Sequence, residues 1–272
     1  MSVETTTSKS IQRVIDYMSG ARYKGAYKNG KRHGSGRLML NNGSFYEGDF
    51  RDNEKHGTGT YKWSNGSIFQ GQFEHDQPHG KGKLISTNGD SYEGDWVRGK
   101  RHGEGKTIWQ NGNLYQGNYE NNEKHGYGTH LWKNNGSKYT GNWQHNVPHG
   151  QGRYEYENGD VYEGEFQQGI RSGCGKLIYA SGDIYEGDYL DDLKHGDGKF
   201  LWTDGDSYYG QFVRGIPEGM GEYIWALKKT FVSAKSVNEE KKRSRKSTSK
   251  RLPSTQNSQL NPVVNYDQSE AF

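Results

Sequence analysis

Aromatic and glycine residues recur along the chain with a sequence period of 23. The pattern is complete in residues 92–114, YEGDWVRGKRHGEGKTIWQNGNL. With Tyr92 counted as repeat position 0, rings occupy positions 0, 4 and 17, and glycines occupy positions 2, 11, 13 and 20. Such a period predicts tandem units, each of which covers its neighbours. Every step between units equals the period, except for one extra residue after Tyr115, and the nine units begin at Tyr23, Tyr46, Phe69, Tyr92, Tyr115, Tyr139, Tyr162, Tyr185 and Tyr208.

The alternation within one unit predicts two strands. Side chains alternate between the faces of a strand, so positions 0, 2 and 4 share one face and positions 11, 13, 15 and 17 share one face of a second strand. Residues 97–101 between them suit a chain reversal, and the Asn111-Gly112 pair at positions 19 and 20 suits the turn into the next unit. Each unit is therefore predicted to be a β-hairpin with rings and glycines on one face.

The repeat accounts for most of the composition. Of the 36 aromatic residues, 29 lie at positions 0, 4, 15 or 17, so the pattern governs the whole fold. Only 29% of the chain is hydrophobic, which is too little for a conventional two-layer domain. An array needs less, because each hairpin covers only its neighbours. We predict an all-β fold, an elongated, twisted, single-layer antiparallel sheet of about nine tandem hairpins.

The two ends depart from the repeat. Residues 1–20 form a polar N-terminus in which Ser10 and the i, i+3, i+4, i+7 spacing of Ile11, Val14, Ile15 and Met18 predict a short helix. This helix either caps the first hairpin or docks a partner. The repeats span residues 21–225, a second capping helix is predicted at 226–235, and residues 236–272 are predicted to be a basic, disordered tail.

Charge is divided unevenly between the body and the tail. Residues 228–251 hold ten Lys/Arg and two Asp/Glu, a net charge of +8, whereas residues 1–227 hold 26 basic and 29 acidic residues, a net charge of −3. The tail either stays solvated or binds an anionic partner such as the acidic surface of tubulin, an anionic membrane or a nuclear import receptor. Its candidate contacts are Lys241, Lys242, Arg243, Arg245 and Lys246.

Two further rows follow from the strand alternation. Acids at positions 1 and 3, such as Glu93 and Asp95, and bases at position 9, such as Arg101, are predicted to offset one another as solvated ladders. Aliphatic residues at position 16 form a stripe on the face opposite the rings, which is unusual for a solvated face and suits a binding role. They are Met39, Ile85, Ile108, Leu131, Ile178, Leu201 and Ile224.

No pattern indicates catalysis, a metal site or a cofactor. The position 10 histidines recur once per hairpin, so neighbours should lie roughly 9–10 Å apart, too far to share one ion. The acid pairs recur in several hairpins, which is typical of a surface pattern and not of one special site, and no nucleophile motif or phosphate loop occurs. The single Cys174 suits a reducing compartment, and the absence of any long apolar span leads us to expect a soluble intracellular protein.

The pattern Tyr-x-Gly-x-aromatic-x-x-Gly-x-x-His-Gly-x-Gly at 92–105 resembles the MORN repeat (membrane occupation and recognition nexus), and seven of the nine units carry the His-Gly pair. The resemblance implies an array of antiparallel hairpins. Repeat-only relatives are scaffolds of cilia, flagella, sperm and cortical cytoskeleton, with radial spoke head components the best known. The resemblance therefore implies a non-catalytic docking protein of the cytoplasm, in a ciliary axoneme or the cytoskeleton, whose partners are structural proteins. The alternative is a peripheral membrane adaptor that binds anionic phospholipids through its tail.

The ring-lined face is the predicted partner-binding site. One explanation of the pattern is that the rings only hold the sheet together. A single-layer sheet, however, also leaves one side of the rings uncovered, where a partner segment can bind. The expected contacts are Phe69, Phe73, Tyr92, Trp96, Trp109, Tyr115, Tyr119, Trp132, Tyr139 and Trp143.

Overall fold

The computed structural model of the chain describes residues 11–226. Within this range it contains strands and turns and no helix, so the all-β prediction is confirmed. The strands are β1 Ile11–Asp16, β2 Arg22–Lys28, β3 Lys31–Met39, β4 Phe45–Arg51, β5 Glu54–Lys62, β6 Ile68–Glu74, β7 Gln77–Ile85, β8 Ser91–Val97, β9 Lys100–Ile108, β10 Leu114–Glu120, β11 Glu123–Leu131, β12 Lys138–Gln144, β13 Val147–Glu155, β14 Val161–Gln167, β15 Ile170–Ile178, β16 Ile184–Leu190, β17 Leu193–Leu201, β18 Ser207–Val213 and β19 Ile216–Ile224.

The strands belong to two compact units that divide between Glu157 and Asn158. The N-terminal unit contains β1 to β13, and the C-terminal unit contains β14 to β19. Within each unit, strands that are consecutive in sequence pair antiparallel. From β2–β3 to β18–β19 they form the nine predicted hairpins.

A bulge bends every hairpin at its glycines. In the fourth hairpin, Gly94 pairs with Gly105, but the next residue, Asp95, pairs with His102, so the ladder shifts by two residues. Gly103 lies in this shift with φ 55°, a left-handed conformation that favours glycine. The Asp95 carboxylate accepts a hydrogen bond from the Glu104 backbone N–H at 3.0 Å. The position 3 side chain therefore stabilises the bulge through this hydrogen bond.

Turn chemistry follows the predicted pattern. At the hairpin tip, Asn121 and Asn122 have φ values of 52° and 77°, as the tight turns that join twisted strands require. Between hairpins, Gly66 at position 20 has φ 98° and donates its backbone N–H to the Trp63 carbonyl at 3.0 Å. The Asn-Gly turn prediction is confirmed.

Neighbouring hairpins also join at their tips. The Arg32 backbone N–H at position 9 donates to Asn53 Oδ1, at position 7 of the next hairpin, at 2.9 Å, and the Arg32 guanidinium donates to the Asn53 carbonyl at 2.7 Å. Pro78 has no N–H to donate, and the residue opposite it, Gly99, has no side-chain acceptor. This junction keeps only the backbone bond that the others also make: the Gly99 N–H donates to the Pro78 carbonyl at 2.8 Å, as the Asn53 N–H does to the Arg32 carbonyl at 3.0 Å. Position 9 repeats the order Arg, Lys, Pro three times. The residues are Arg32, Lys55, Pro78, Arg101, Lys124, Pro148, Arg171, Lys194 and Pro217.

The predicted N-terminal helix is wrong, because Ile11–Asp16 forms strand β1. Its Ile15 pairs with Tyr23, the pairing that position 15 makes with position 0 of the following hairpin elsewhere. The Tyr17 N–H donates to the Ala21 carbonyl at 2.8 Å, and Gly20 has φ 85°, which reproduces the turns between hairpins. β1 is thus the second strand of a truncated repeat, favoured over a helix because it pairs the open edge of β2. The C-terminal cap beyond Ala226 and the basic tail lie outside the described residues.

Candidate partner-binding surfaces

Each hairpin is built around one ring that lies over two glycines. The Tyr92 ring covers Gly94 and Gly105, and its hydroxyl donates to the Asp95 carbonyl at 2.8 Å. A Cβ at Gly105 would lie 2.5 Å from Tyr92 Cε2 and 2.6 Å from Cζ, and a Cβ at Gly94 would lie 2.5 Å from the Gly105 Cα. Burial raises the pKa of the Tyr92 hydroxyl well above its ordinary value. The glycines are therefore packing positions, and the tyrosine stays neutral.

The rings at positions 0 and 4 form a continuous edge-to-face ladder in each unit. Tyr92 meets Trp96 of its own hairpin at 5.1 Å between ring centroids, and Trp96 meets Phe69 of the preceding hairpin at 5.1 Å, both with nearly perpendicular planes. Such geometry is the preferred one for aromatic pairs. The Trp96 Nε1–H also donates to the Gly82 carbonyl at 3.1 Å. The ladder is the hydrophobic core of the array.

Eight of the ten residues that we predicted as partner contacts belong to this core. They are buried by the neighbouring rings and by the side chains at positions 9 and 15. A direct contact between a partner and these rings stays a prediction, and only Trp109 and Trp132 of the set are half-exposed. The buried members are Phe69, Phe73, Tyr92, Trp96, Tyr115, Tyr119, Tyr139 and Trp143.

Position 9 cations cover the ring ladder. The Arg101 guanidinium lies 5.7 Å from the Tyr92 ring centroid and 5.4 Å from that of Tyr119. Lys194 Nζ lies 4.8 Å from both the Tyr185 and Phe200 rings, and burial lowers its pKa to about 8. These cations do not offset the acid rows as predicted, because strand alternation places position 9 on the ring face. The position 1 acids Glu47 and Glu93 instead pair with Arg37 and Lys83 at position 14 of the preceding hairpin.

Rings at position 17 lie just beyond the end of the second strand in seven of the nine hairpins, and most of them are half-exposed. In the N-terminal unit, Trp109 and Trp132 stack on opposite sides of His130, with centroid distances of 5.2 and 4.2 Å and interplanar angles of 9° and 10°. Burial, with a smaller contribution from Lys124, lowers the pKa of His130 to about 3. Lys124 Nζ lies 3.3 Å from His130 Nδ1, which accepts its hydrogen bond because an ammonium only donates. His130 is therefore a neutral stacking residue.

Side chains at position 16 lie on the opposite face, which we call the back face, and they are aliphatic in seven of the nine hairpins, with Lys62 and Glu155 in the other two. Ile108 is 41% exposed and pairs with Leu114 of the next hairpin, which in turn pairs with Leu131. Single exposed aliphatic residues are ordinary, whereas an ordered row of them marks a surface for binding. We call this row the back rail. Its exposed members are Met39, Ile85 and Ile108 in the N-terminal unit and Leu201 and Ile224 in the C-terminal unit.

A polar groove accompanies the back rail in the N-terminal unit. It has a volume of about 1110 Å³, and its floor is the backbone of glycines such as Gly94 and Gly105. Its walls carry Lys83 and Glu93, which pair at 3.2 Å, and Lys81, which pairs with the nearby Asp95 at 2.7 Å. Both charge signs therefore face any molecule that lies along the rail.

A comparison with family models matches the MORN repeat nine times, at residues 23–45, 46–68, 69–91, 92–114, 115–137, 139–161, 162–184, 185–207 and 208–226. The chain belongs to the MORN repeat family. The matched bounds begin at the nine residues predicted to start a unit, so each MORN repeat corresponds to one observed hairpin and the turn that follows it. A comparison with curated proteins finds no significant match.

Solved structures show weaker likenesses to this MORN array. One is the TCP10 domain of Danio rerio CPAP in complex with a peptide of Danio rerio STIL, with 10% identity, a TM-score of 0.44, and coverage of 80% of this chain and 98% of that chain. Another is the SAS-4 (dCPAP) TCP domain with a proline-rich motif of Ana2 from Drosophila Melanogaster, with 14% identity, a TM-score of 0.35, and coverage of 54% and 84%. At this level of similarity neither carries a function to this chain.

Two of the MORN histidines and Cys174 form polar contacts with acidic side chains. His79 and His125 each lie 3.5 Å from a glutamate, Glu74 and Glu120 respectively. Among residues 11–226, no group of three His, Cys, Asp or Glu side chains is arranged to hold a metal ion. The exposed Cys174 donates to Asp188 at 3.4 Å, and this hydrogen bond raises the pKa of its thiol. The same range contains no helix that could cross a membrane.

Proposed function

We propose that this MORN protein is a non-catalytic docking scaffold of a ciliary, radial-spoke-like or cytoskeletal assembly, and that partner segments bind along its back rail. The observation that carries the proposal is the exposure of aliphatic side chains at position 16 of neighbouring hairpins, Ile85 and Ile108 in the N-terminal unit and Leu201 and Ile224 in the C-terminal unit. The rings of the ladder are buried against one another and hold the array together. On the back face, the apolar surface is the rail. MORN repeats suit a protein-binding or membrane-binding scaffold, and the repeat-only chain resembles radial spoke head components.

The spacing of the rail indicates the form of the partner. Successive hairpins place equivalent residues about 9.6 Å apart, because each contributes two strands at about 4.8 Å. A helix advances about 10.5 Å in seven residues. An amphipathic helix with apolar residues about seven positions apart therefore meets the rail at successive hairpins. Its polar flanks then face the Lys83–Glu93 and Lys81–Asp95 pairs in the groove.

Cross-linking mass spectrometry on isolated cilia and on cytoskeletal fractions tests the assignment. Cross-links from lysines beside the rail, such as Lys106 and Lys133, to axonemal or cytoskeletal proteins support it. Absence of the protein from both fractions contradicts it. The segments that become cross-linked then serve as defined peptides for binding measurements.

A single charge placed on the rail should weaken binding. We expect Ile108→Lys to reduce the affinity for a cross-linked partner peptide about tenfold, or about 1.4 kcal/mol, because it puts an ammonium into an apolar contact. Val97→Lys is the matched control, since Val97 is 39% exposed on the same face at the opposite end of its strand. Isothermal titration calorimetry gives both affinities. Equal losses from the two variants would place the contact elsewhere.

The tail supports a second candidate, an adaptor for anionic membranes. Residues 228–251 carry a net charge of +8, and such segments bind anionic leaflets through about 1 kcal/mol per basic residue. Flotation with phosphatidylserine vesicles separates this from the first candidate. Neutralising Lys241, Lys242, Arg243, Arg245 and Lys246 to Gln should abolish flotation if the tail is the anchor, whereas Ile108→Lys should leave flotation unchanged.

A further inference from the structure

Three neighbouring strands in the N-terminal unit depart from the charge pattern of the back face. Side chains at positions 1, 3, 12 and 14 lie on this face, and in most hairpins they include acids and bases, such as Glu93 and Lys106. On β10, β11 and β12 all of them are uncharged, and no other three consecutive strands among the described residues share this property. We call these side chains the neutral patch. They are Gln116, Asn118, Tyr127, Thr129, Thr140 and Asn142.

Tyr127 is the aromatic member of the neutral patch, and its side chain is 60% exposed. Its backbone pairs with Asn142 on β12, and its N–H donates to Asn118 Oδ1 on β10 at 3.3 Å. The Tyr127 ring therefore has a carboxamide side chain on each side of it. An exposed ring in such a place offers a flat apolar surface with hydrogen-bonding groups around it.

The remaining members add neutral hydrogen-bonding groups in a row beside the ring. Gln116 pairs with Thr129, and Thr129 pairs with Thr140, so the row crosses all three strands. The two threonine hydroxyls lie 3.1 Å apart, and the hydrogen bond between them uses only one of their two protons. Gln116 and Asn142 are exposed, and a carboxamide both donates and accepts. The polar groove of the N-terminal unit reaches this row, since its lining includes Gln116, Asn118, Tyr127 and Thr129.

We propose that the neutral patch binds a neutral, linear oligosaccharide, with one sugar ring stacked on Tyr127 and its hydroxyl groups bonded to the surrounding carboxamides and threonine hydroxyls. The C–H face of a pyranose ring is apolar and suits the electron-rich face of an aromatic ring. Sugar hydroxyl groups donate and accept hydrogen bonds, as the polar side chains of the patch do. A neutral ligand on a neutral patch also requires no charge to be removed from water.

The spacing of the strands favours one shape of sugar chain. Neighbouring strands lie about 4.8 Å apart, and an extended β-1,4-linked glucan advances by nearly the same length with each sugar. Successive sugars can therefore lie over β10, β11 and β12. A coiled α-1,4-linked chain turns away from the row after its first contact with Tyr127. The expected ligand class is thus an extended β-linked chain.

The neutral patch does not offer the features by which proteins commonly bind peptides. β10, β11 and β12 are each paired on both sides, so they present no edge to an added strand. One exposed ring does not make an aromatic-lined groove for a proline-rich segment, and an uncharged patch has no cation for a phosphorylated one. The apolar contacts that a helix needs lie on the back rail. The site is therefore separate from the rail and does not depend on the proposed function.

An NMR titration of the isotope-labelled full-length protein with cellohexaose, a β-1,4-linked glucan, tests the proposal. We expect saturable shifts of the Asn118 and Asn142 side-chain amides at millimolar sugar. Tyr127→Ala should weaken binding about tenfold through loss of the stacked ring. Tyr209→Ala is the matched control and should leave binding unchanged. Tyr209 is 54% exposed on the same face, but its neighbours across the strands are the charged Lys199 and Glu222.

A double variant tests the requirement for a neutral surface. Gln116→Glu with Thr129→Lys gives the fifth hairpin the residues that the fourth carries at these positions, Glu93 and Lys106, so the fold should persist. We expect this variant to bind cellohexaose about fivefold more weakly, because the sugar must then displace water from charged groups.

Three results would overturn the proposal. They are the absence of saturable shifts with cellohexaose, equal affinities of the native protein and the Tyr127→Ala variant, and equally strong binding of maltohexaose, the α-1,4-linked chain of the same sugar. Ile108→Lys on the back rail should leave cellohexaose binding unchanged. Loss of binding in that variant would assign the sugar to the rail and would also contradict the neutral patch as the site.

Discussion

Gly94→Val lowers the free energy of unfolding by about 3 kcal/mol, the upper part of the range for overpacking. The reason is the contact between the glycine pair and the ring above it. A Cβ at Gly94 lies 2.5 Å from the Gly105 Cα and 2.6 Å from the Tyr92 hydroxyl oxygen. Neither atom can withdraw, since one belongs to the paired strand and the other is held on the Asp95 carbonyl. Urea denaturation followed by tryptophan fluorescence measures the loss.

The adjacent substitution is the control. Glu93→Ala removes a side chain on the back face that pairs with Lys83 and is largely exposed. Exposed ion pairs contribute little, so its effect stays within about 0.5 kcal/mol. Equal denaturation midpoints for the two variants would contradict the assignment of Gly94 to the ring face.

We expect acid to destabilise the array through His130. Its pKa of about 3 in the folded protein is far below the ordinary value of about 6.5, so the unfolded chain binds the proton more readily. Stability is full above about pH 6.5 and is lost progressively as the pH falls toward 3. Between pH 7.5 and 4.5 we expect His130 to account for a loss of about 3 kcal/mol in the free energy of unfolding, since about two pH units lie between the unfolded pKa and the lower pH.

A variant isolates this contribution from the carboxylates, which also titrate in acid. His130→Tyr keeps an aromatic ring between Trp109 and Trp132, and Tyr154 occupies the same repeat position one hairpin later. Denaturation midpoints of both proteins at several pH values give the difference directly. If the two proteins lose stability in parallel as the pH falls, His130 is not the group responsible.

Strands, turns and faces could be predicted because they depend on local alternation and on glycine conformation. The burial of Trp96 could not be predicted in this way, because it depends on contact with Phe69 of another hairpin. Assigning a residue to one face of the sheet does not show which side chains cover that face. Exposure of the side chains at position 16 follows strand alternation directly, so the back rail was accessible from the sequence. Its use in binding stays a prediction.

The wrong prediction of an N-terminal helix has a similar cause. Ile11 to Met18 satisfy a helical spacing, but the unpaired edge of β2 favours a strand in the same residues. A signal was present in the sequence, because Tyr17 and Gly20 fall at positions 17 and 20 of a preceding unit. Two matched positions are few beside a complete helical spacing, in which Gly20 also suits the end of a helix. Pairing at an open edge depends on the partner strand and not on local propensity.

The Arg, Lys, Pro order at position 9 limits how such a chain can change its length. Loss of the fourth hairpin alone would bring Pro78, which has no N–H, against Asn122, whose side chain now accepts from the Arg101 N–H at 2.8 Å. That acceptor would be left without its donor. Removal of three consecutive hairpins, such as the fourth to the sixth, restores the match, because Pro78 then meets Gly169 as it now meets Gly99. Arrays of this kind should therefore lengthen and shorten by whole triplets over evolutionary time, and single-hairpin variants should be rarer than triplet ones.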